Sequence, residues 1–208
     1  MIRFFRNNRT TMAQKKKFSS YLLYALGEIL LIVLGIVIAL QLQNWNEANK
    51  TAEATQLTLD RIKKEIVTNQ QKIKRVHEYH KMVKDTLQKI KTPKTEDEVK
   101  KALSFWRGLQ IPRMQESAFQ TAIQTGVSKD VNVNLLESLN ALYTSQSSYN
   151  EFSKTASQGL YNKDFSDVQN FKKIAIFLNM TMVDLYYFET ELNYQFQKCL
   201  QEIDSLSN

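Results

Sequence analysis

One carboxylate sits inside the longest apolar run of the chain: Glu28 in YALGEILLIVLGIVIALQLQNWNE, residues 24–47. An ionised acid at the centre of a bilayer costs about 2.5–3.5 kcal/mol on insertion scales, and less near an edge. Glu28 lies about seven residues into the run, roughly 10 Å deep at about 1.5 Å per residue. A side chain so placed needs water, a partner or a proton, and each need corresponds to a different chemistry. It can snorkel to the interface or to a lipid amine. It can hydrogen-bond across a helix–helix contact. It can mark a proton or ion path. A helical projection at about 100° per residue puts Ala25, Glu28, Ile32, Gly35, Ala39, Leu42 and Asn46 on one stripe, opposite a side of Leu, Ile and Val. Small residues beside an acid suit close helix packing through Glu28, Gly35 and Ala39.

Few other residues have types and spacing that suggest chemistry. His77 and His80 stand three apart with Glu78 between them, so one helix face presents two imidazoles, but the sequence assigns no third ligand. His80 and Asn69 both fall on a heptad seam, where a polar residue sets register. Cys199 is the one cysteine, which excludes an intrachain disulfide and any zinc site built on several thiolates. Tyr186, Tyr187, Phe188, Tyr194 and Phe196 have helical spacing, and aromatics so placed are more often core than the wall of a ligand groove. The sequon at 179–181 lies mid-helix and has little weight. There is no Gly-rich phosphate loop, serine elbow or metalloprotease motif. The expectation is a protein that is not an enzyme and that uses no cofactor or metal.

The element that positions Glu28 is a membrane span. From Tyr21 to Leu40 every residue but Gly27, Glu28 and Gly35 is apolar or tyrosine. Twenty such residues cover roughly 30 Å, the thickness of the hydrocarbon layer. Tyr21 and Tyr24 at one end and Trp45 at the other suit the two interfacial belts. A cleavable signal peptide would be shorter and followed by small residues, whereas LQLQNWNEANK follows here, so an uncleaved anchor is expected. The chain carries +7 in total, and Arg3, Arg6, Arg9, Lys15, Lys16 and Lys17 in residues 1–20 hold six of those charges with no acid among them. By the positive-inside rule the amino terminus is cytoplasmic and the bulk of the chain lies across the membrane, in the periplasm of a bacterial host. The rest of the chain is nearly neutral and shows no basic face for nucleic acid.

Beyond Trp45 the pattern is helical, in keeping with only five Gly and two Pro among 208 residues. Leu59, Ile66, Ile73, His80 and Leu87 form an a series, and Ile62, Asn69, Val76, Val83 and Ile90 the matching d series, up to a stop at Thr92-Pro93. Thr95 with Glu98 caps a short helix ending near Gly108. Ser117 with Gln120 caps a second, ending at Gly126. A longer helix starts near Asn134 on a stripe of Leu135, Leu139, Leu142, Gln146, Tyr149, Ser153 and Ala156, and Gly159 ends it. Ser166 with Gln169 opens the last helix, which buries Phe171, Ala175, Leu178, Met182, Leu185, Leu192, Phe196, Cys199 and Ile203. No strand alternation persists anywhere.

The stretch from Tyr24 to Glu47 resembles the amino-terminal signature of an uncharacterised family of small membrane proteins from the Bacteroidota, Y-A-x-G-E-I-x-L-x-x-x-G-I-x-I-A-L-x-x-x-x-W-N-E. Tyr24, Ala25, Gly27, Glu28, Ile29, Gly35, Ala39, Leu40, Trp45, Asn46 and Glu47 match it. Ser117, Ala118, Phe119 and Gly126 look like the family's central segment. The resemblance implies a single-pass inner-membrane protein and supplies no mechanism.

The expected class is all-α: one amino-terminal transmembrane helix followed by an extracytoplasmic antiparallel helical bundle of three long and two short helices. The expected divisions are a basic cytoplasmic tail at 1–20, the span at 21–42, a helical juxtamembrane connector at 43–58 and the bundle at 59–208. The expected role is a membrane-anchored periplasmic scaffold or adaptor that oligomerises, or docks on a multispan partner, through its transmembrane helix. The competing role is an accessory or pore-forming subunit of an ion- or proton-coupled complex that uses Glu28. Membrane lipid is a partner in either case.

Overall fold

The computed structural model describes residues 2–161, 163–165 and 168–206, with side chains from Leu22 onward. Among these residues there is no strand. The order is α1 (Ile2–Leu87), α2 (Glu96–Ala102), α3 (Ser117–Thr125), a 3-10 turn (Val127–Asp130), α4 (Val133–Tyr161) and α5 (Phe171–Leu206). Both prolines, Pro93 and Pro112, fall outside the helices, where their missing N–H and fixed φ do least harm. The chain divides into two compact units, Met1–Glu53 and Ala54–Asn208, and α1 contributes to both.

In the first unit, α1 contains a stretch long and apolar enough to cross a membrane, none of it buried within the chain. The large apolar side chains between Leu22 and Leu42 are 47% to 74% exposed. In water each would forgo about 1.5–3 kcal/mol of burial, so an apolar medium or a partner must cover them.

The second unit is built on one contiguous core. Leu59, Ile62, Ile66, Ile73, Val83 and Leu87 of α1 supply one side. Leu135, Leu139, Leu142 and Tyr149 of α4, and Leu178, Met182, Leu185, Leu192, Phe196 and Ile203 of α5, supply the others. Truncating one such leucine to alanine costs about 2–5 kcal/mol, because the neighbours collapse only partly into the gap. The heptad positions of α1 are buried except Val76, which is half-buried, and Ile90, which lies past the helix end.

Several helix ends differ from the sequence reading. Helix α1 stops at Leu87, short of Thr92-Pro93, in tight turns where Lys89 N–H donates to Thr86 O (3.0 Å) and Ile90 N–H to Leu87 O (3.4 Å). Residues before a proline avoid the α region, and the chain unwinds ahead of it. Thr95 caps α2 as expected, accepting from Glu98 N–H at 3.2 Å, but Glu98 accepts from Lys94 N–H (2.7 Å) where a capping box would use Thr95. This helix ends at Ala102, well before Gly108. Gly126 closes α3 with φ 79, the left-handed cap its residue type favours. Asn132 starts α4, its Oδ1 accepting from Asn134 N–H at 2.9 Å. Gly159 does not end that helix. It lies inside it, where a Cβ would sit 2.7 Å from Phe177 Cζ of α5, so its missing side chain serves close packing. Helix α5 begins at Phe171, and Ser166 lies outside the described residues.

Candidate functional site

The second unit buries an unusual set of polar groups. Asn69, His80, Gln146 and Glu189 are 0% exposed, and Glu65 is 7% exposed. Buried charge is costly unless paired and hydrogen-bonded, so their partners are the first question.

Glu189 comes from α5, on the i+4 step between Leu185 and Leu192, and therefore points into the core. Its Oε1 lies 2.7 Å from His80 Nδ1 and accepts the Tyr149 hydroxyl proton at 2.9 Å. The other nitrogen of His80, Nε2, faces the Leu109 carbonyl oxygen at 2.6 Å. A carbonyl only accepts, so Nε2 carries a proton. A second proton lies between Nδ1 and Oε1. Held on nitrogen it gives an imidazolium–carboxylate pair, and held on oxygen a neutral pair, so His80 donates to Leu109 in both forms. Burial, and the Glu189 carboxylate beside it, push the Tyr149 phenol far above its ordinary value and keep it a neutral donor.

A column of rings leads outward from this pair. Glu189 Oε2 faces His77 Nδ1 at 3.4 Å, within ion-pair range but without hydrogen-bond geometry, and neither buried atom has a hydrogen-bond partner. The His77 ring stacks on Tyr186 at 4.7 Å between centroids, and Lys84 Nζ lies 4.4 Å from the Tyr186 ring centre.

Glu65 makes a second buried carboxylate centre. Its Oε1 accepts from the Tyr143 hydroxyl (2.7 Å), and its Oε2 accepts from Ser117 Oγ–H (3.0 Å) and Ala118 N–H (2.9 Å). Helix α3 has Glu116 at its cap position with no capping side-chain bond, so the expected Ser117–Gln120 box is absent. The carboxylate of Glu65, reaching over from α1, satisfies that terminus and complements its dipole. Burial and Glu65 together push Tyr143 far above the usual phenol range. Phe119 stacks on Tyr143 at 4.3 Å, packing α3 against α4.

Between these centres Asn69 binds main chain as a strand would. Its Oδ1 accepts from Gln115 N–H (2.9 Å), while its Nδ2 donates to Gln115 O and to Gln146 Oε1, both at 2.6 Å. Lys72 donates to Arg113 O at 3.0 Å, and Asn150 Oδ1 accepts from Met114 N–H at 3.1 Å. Tyr79 accepts from Arg107 N–H and donates to Gly108 O, each at 2.8 Å. One face of α1 thus supplies hydrogen-bond partners to the irregular segment between α2 and α3 through Asn69, Lys72, Tyr79 and His80, and to the start of α3 through Glu65.

This arrangement positions main chain and shares protons. A cleft of about 930 Å³ runs along Arg113–Ser117 and α4, with Lys72, Asn150 and Lys154 in its wall, and neither His80 nor Glu189 lines it. Among the described residues no group of three or more His, Cys, Asp or Glu is placed to hold a metal ion. Burial pushes the Cys199 thiol up to about 11, which leaves it a small apolar filler and a poor nucleophile.

The residues singled out in the span all lie on α1 in the first unit. Glu28, Ile32, Gly35 and Ala39 are exposed, Ala25 is half-buried, and no side chain comes within 4 Å of where a Gly35 Cβ would stand. Tyr24 and Trp45 are exposed at 74% and 67%. The side chains of Tyr21, Arg3, Arg6, Arg9, Lys15, Lys16 and Lys17 lie outside the described residues. The aromatics of α5 divide: Phe196 is core, Tyr186 and Phe188 are half-buried, and Tyr187 and Tyr194 face out. Sequence reasoning missed Glu65, Tyr149 as a hydrogen-bond donor, and Glu189. The signal for Glu189 was the gap between Leu185 and Leu192, a seven-residue step that needs one inward residue midway. Comparison of the chain with known protein families, with curated proteins and with solved structures returned no match.

Proposed function

We propose that this chain is a single-pass membrane protein, amino terminus in the cytoplasm, whose second unit is an extracytoplasmic antiparallel helical bundle acting as a scaffold or adaptor. The observation that carries the reading is the apolar stretch of α1, whose large side chains between Leu22 and Leu42 are all exposed. Lipid on the Leu, Ile and Val side, and a second helix on the side of Ala25, Glu28, Ile32, Gly35 and Ala39, would cover it. That helix comes from another copy of the chain or from a multispan partner. The second unit supports a positioning role, because Glu65 holds the Ala118 N–H directly and Glu189 holds His80, which in turn grips the Leu109 carbonyl.

Two measurements test the proposal. Protease added to spheroplasts should remove residues 46–208, and full protection of that region would refute the orientation. Native mass measurement in mild detergent should show an assembly that Gly35→Leu disrupts, since a bulky side chain bars close approach of the backbones. An unchanged assembly would remove the packing stripe from the account. Glu28→Gln keeps the hydrogen-bonding shape without the charge and should leave assembly intact. Loss of ion or proton movement in that variant would favour the transport subunit instead.

A further inference from the structure

We propose that residues 103–111 form a releasable strap, held against α1 by the Tyr79 hydroxyl and the His80 imidazole, which opens as a unit while α4 and α5 stay packed. The inference stands apart from the adaptor reading and rests on four features of the second unit.

The strap's attachments to α1 are few and local. Arg107 N–H, Gly108 O and Leu109 O are all held by two adjacent side chains, Tyr79 and His80, whereas a helix or sheet would spread such bonds over many residues. Beyond these, its short-range backbone bonds include Leu103 N–H to Val99 O (3.0 Å) and Trp106 N–H to Leu103 O (2.9 Å), which travel with it or tie it to α2.

The closed form is strained on one side of the gripped carbonyl, at Gln110. Gly108 has φ 86 and Gln110 φ 50, so Leu109 is presented between two left-handed residues. Glycine adopts that conformation freely, but Gln110 has a Cβ that opposes it. Opening relaxes Gln110.

The apolar seal is shallow. Phe105, Trp106, Leu109 and Ile111 pack against the core while only partly buried, unlike the sealed residues of α4 and α5. The Arg107 guanidinium over the Tyr79 ring, 5.6 Å to its centre, lies on the exposed side.

The grip does not depend on the strap for its own order. His80 is fixed from behind by Glu189 of α5, which Tyr149 of α4 also contacts, and these bonds persist when Leu109 leaves. Opening therefore uncovers Phe105, Trp106 and Leu109 and exposes the donors of Tyr79 and His80 without breaking the core.

Hydrogen–deuterium exchange of the full chain in detergent micelles, read by peptide mass, tests this. In the unmutated protein, 103–111 should exchange at least about ten-fold faster than the buried stretches of α4 and α5. Tyr79→Phe removes two hydrogen bonds to the strap and should speed its exchange about ten-fold more, leaving α4 and α5 unchanged. Gln110→Gly relieves the left-handed strain at some entropic cost and should slow strap exchange about three-fold. If Tyr79→Phe accelerates the strap and both long helices in step, opening is global unfolding and the proposal fails. It also fails if Gln110→Gly leaves the strap rate unchanged, a result that can be read even where Tyr79→Phe does not fold.

Discussion

Replacing His80 by leucine should do far more damage than removing one contact. The leucine fills much of the imidazole's space, and α1 keeps a good helix former. Glu189, however, is 0% exposed and would keep only the Tyr149 hydroxyl and the misaligned His77. Breaking a buried pair by removing one partner costs about 3–5 kcal/mol, because the remaining charge is left without compensation. Loss of the donor to Leu109 O adds about 1 kcal/mol. Removing both partners, as His80→Leu with Glu189→Met, leaves no stranded charge. Apolar replacement of a buried ion pair is often near neutral, so the residual cost should be about 2 kcal/mol from the orphaned Tyr149 hydroxyl and Leu109 carbonyl. The expected order is therefore about 5 kcal/mol for the single variant and about 2 kcal/mol for the double. In a folded unit of this size each kcal/mol moves the midpoint by about 2–4 °C, so the single variant should melt roughly 10–20 °C lower. Urea unfolding in detergent, followed by far-UV circular dichroism, measures both variants against the parent. A double variant as unstable as the single would show that stranded charge is not the cause, and the account of the pair would be wrong.

Three further outcomes follow from the packing. Gly159→Val should cost about 1–3 kcal/mol by urea unfolding, since even a Cβ would press on Phe177; a neutral result would mean that the ring yields freely. Glu65→Ala leaves the Tyr143 hydroxyl and Ala118 N–H without their acceptor, so it should cost about 1–3 kcal/mol and speed amide exchange at the start of α3 before elsewhere. Tyr143 and Tyr149 are both raised in the folded chain, so the unfolded chain loses these protons first, near pH 10. Their contribution is complete below that pH and declines as pH rises above it, by about 1.4 kcal/mol per pH unit for each phenol. Tyr143→Phe should flatten that alkaline slope in denaturation curves, and an unchanged slope would exclude the phenol as its source.

What could be read from the residues, and what could not, divides along a physical line. Period and punctuation are local, so the all-helical class, the apolar span, the stripe of α4 and the Gly126 cap were legible from spacing and residue type. Helix ends failed wherever a distant group decided them. Ser117 looked like a cap because a serine followed by a glutamine three residues on is the usual signal, but Glu65 occupies that terminus from another helix. Gly159 looked like a terminator, and only the position of Phe177 shows that it is a point of close approach. Asn69 and His80 were placed on the seam by their heptad positions, yet their partners are main-chain groups of residues 109 and 115 and side chains of α4 and α5. A one-dimensional pattern marks a buried polar residue without naming what it binds.

The long reach of Glu65 bears on the order in which the chain acquires structure during synthesis. Helix α3 has nine residues, too few to persist alone in water, and its first turn relies on an acid made more than fifty positions earlier. Translation delivers that acid before the segment it stabilises, so the anchor point is waiting as the serine emerges. A peptide covering only 113–130 lacks this support and should be unstructured, and a circular permutant that placed 113–130 ahead of Glu65 would leave α3 a late event in folding.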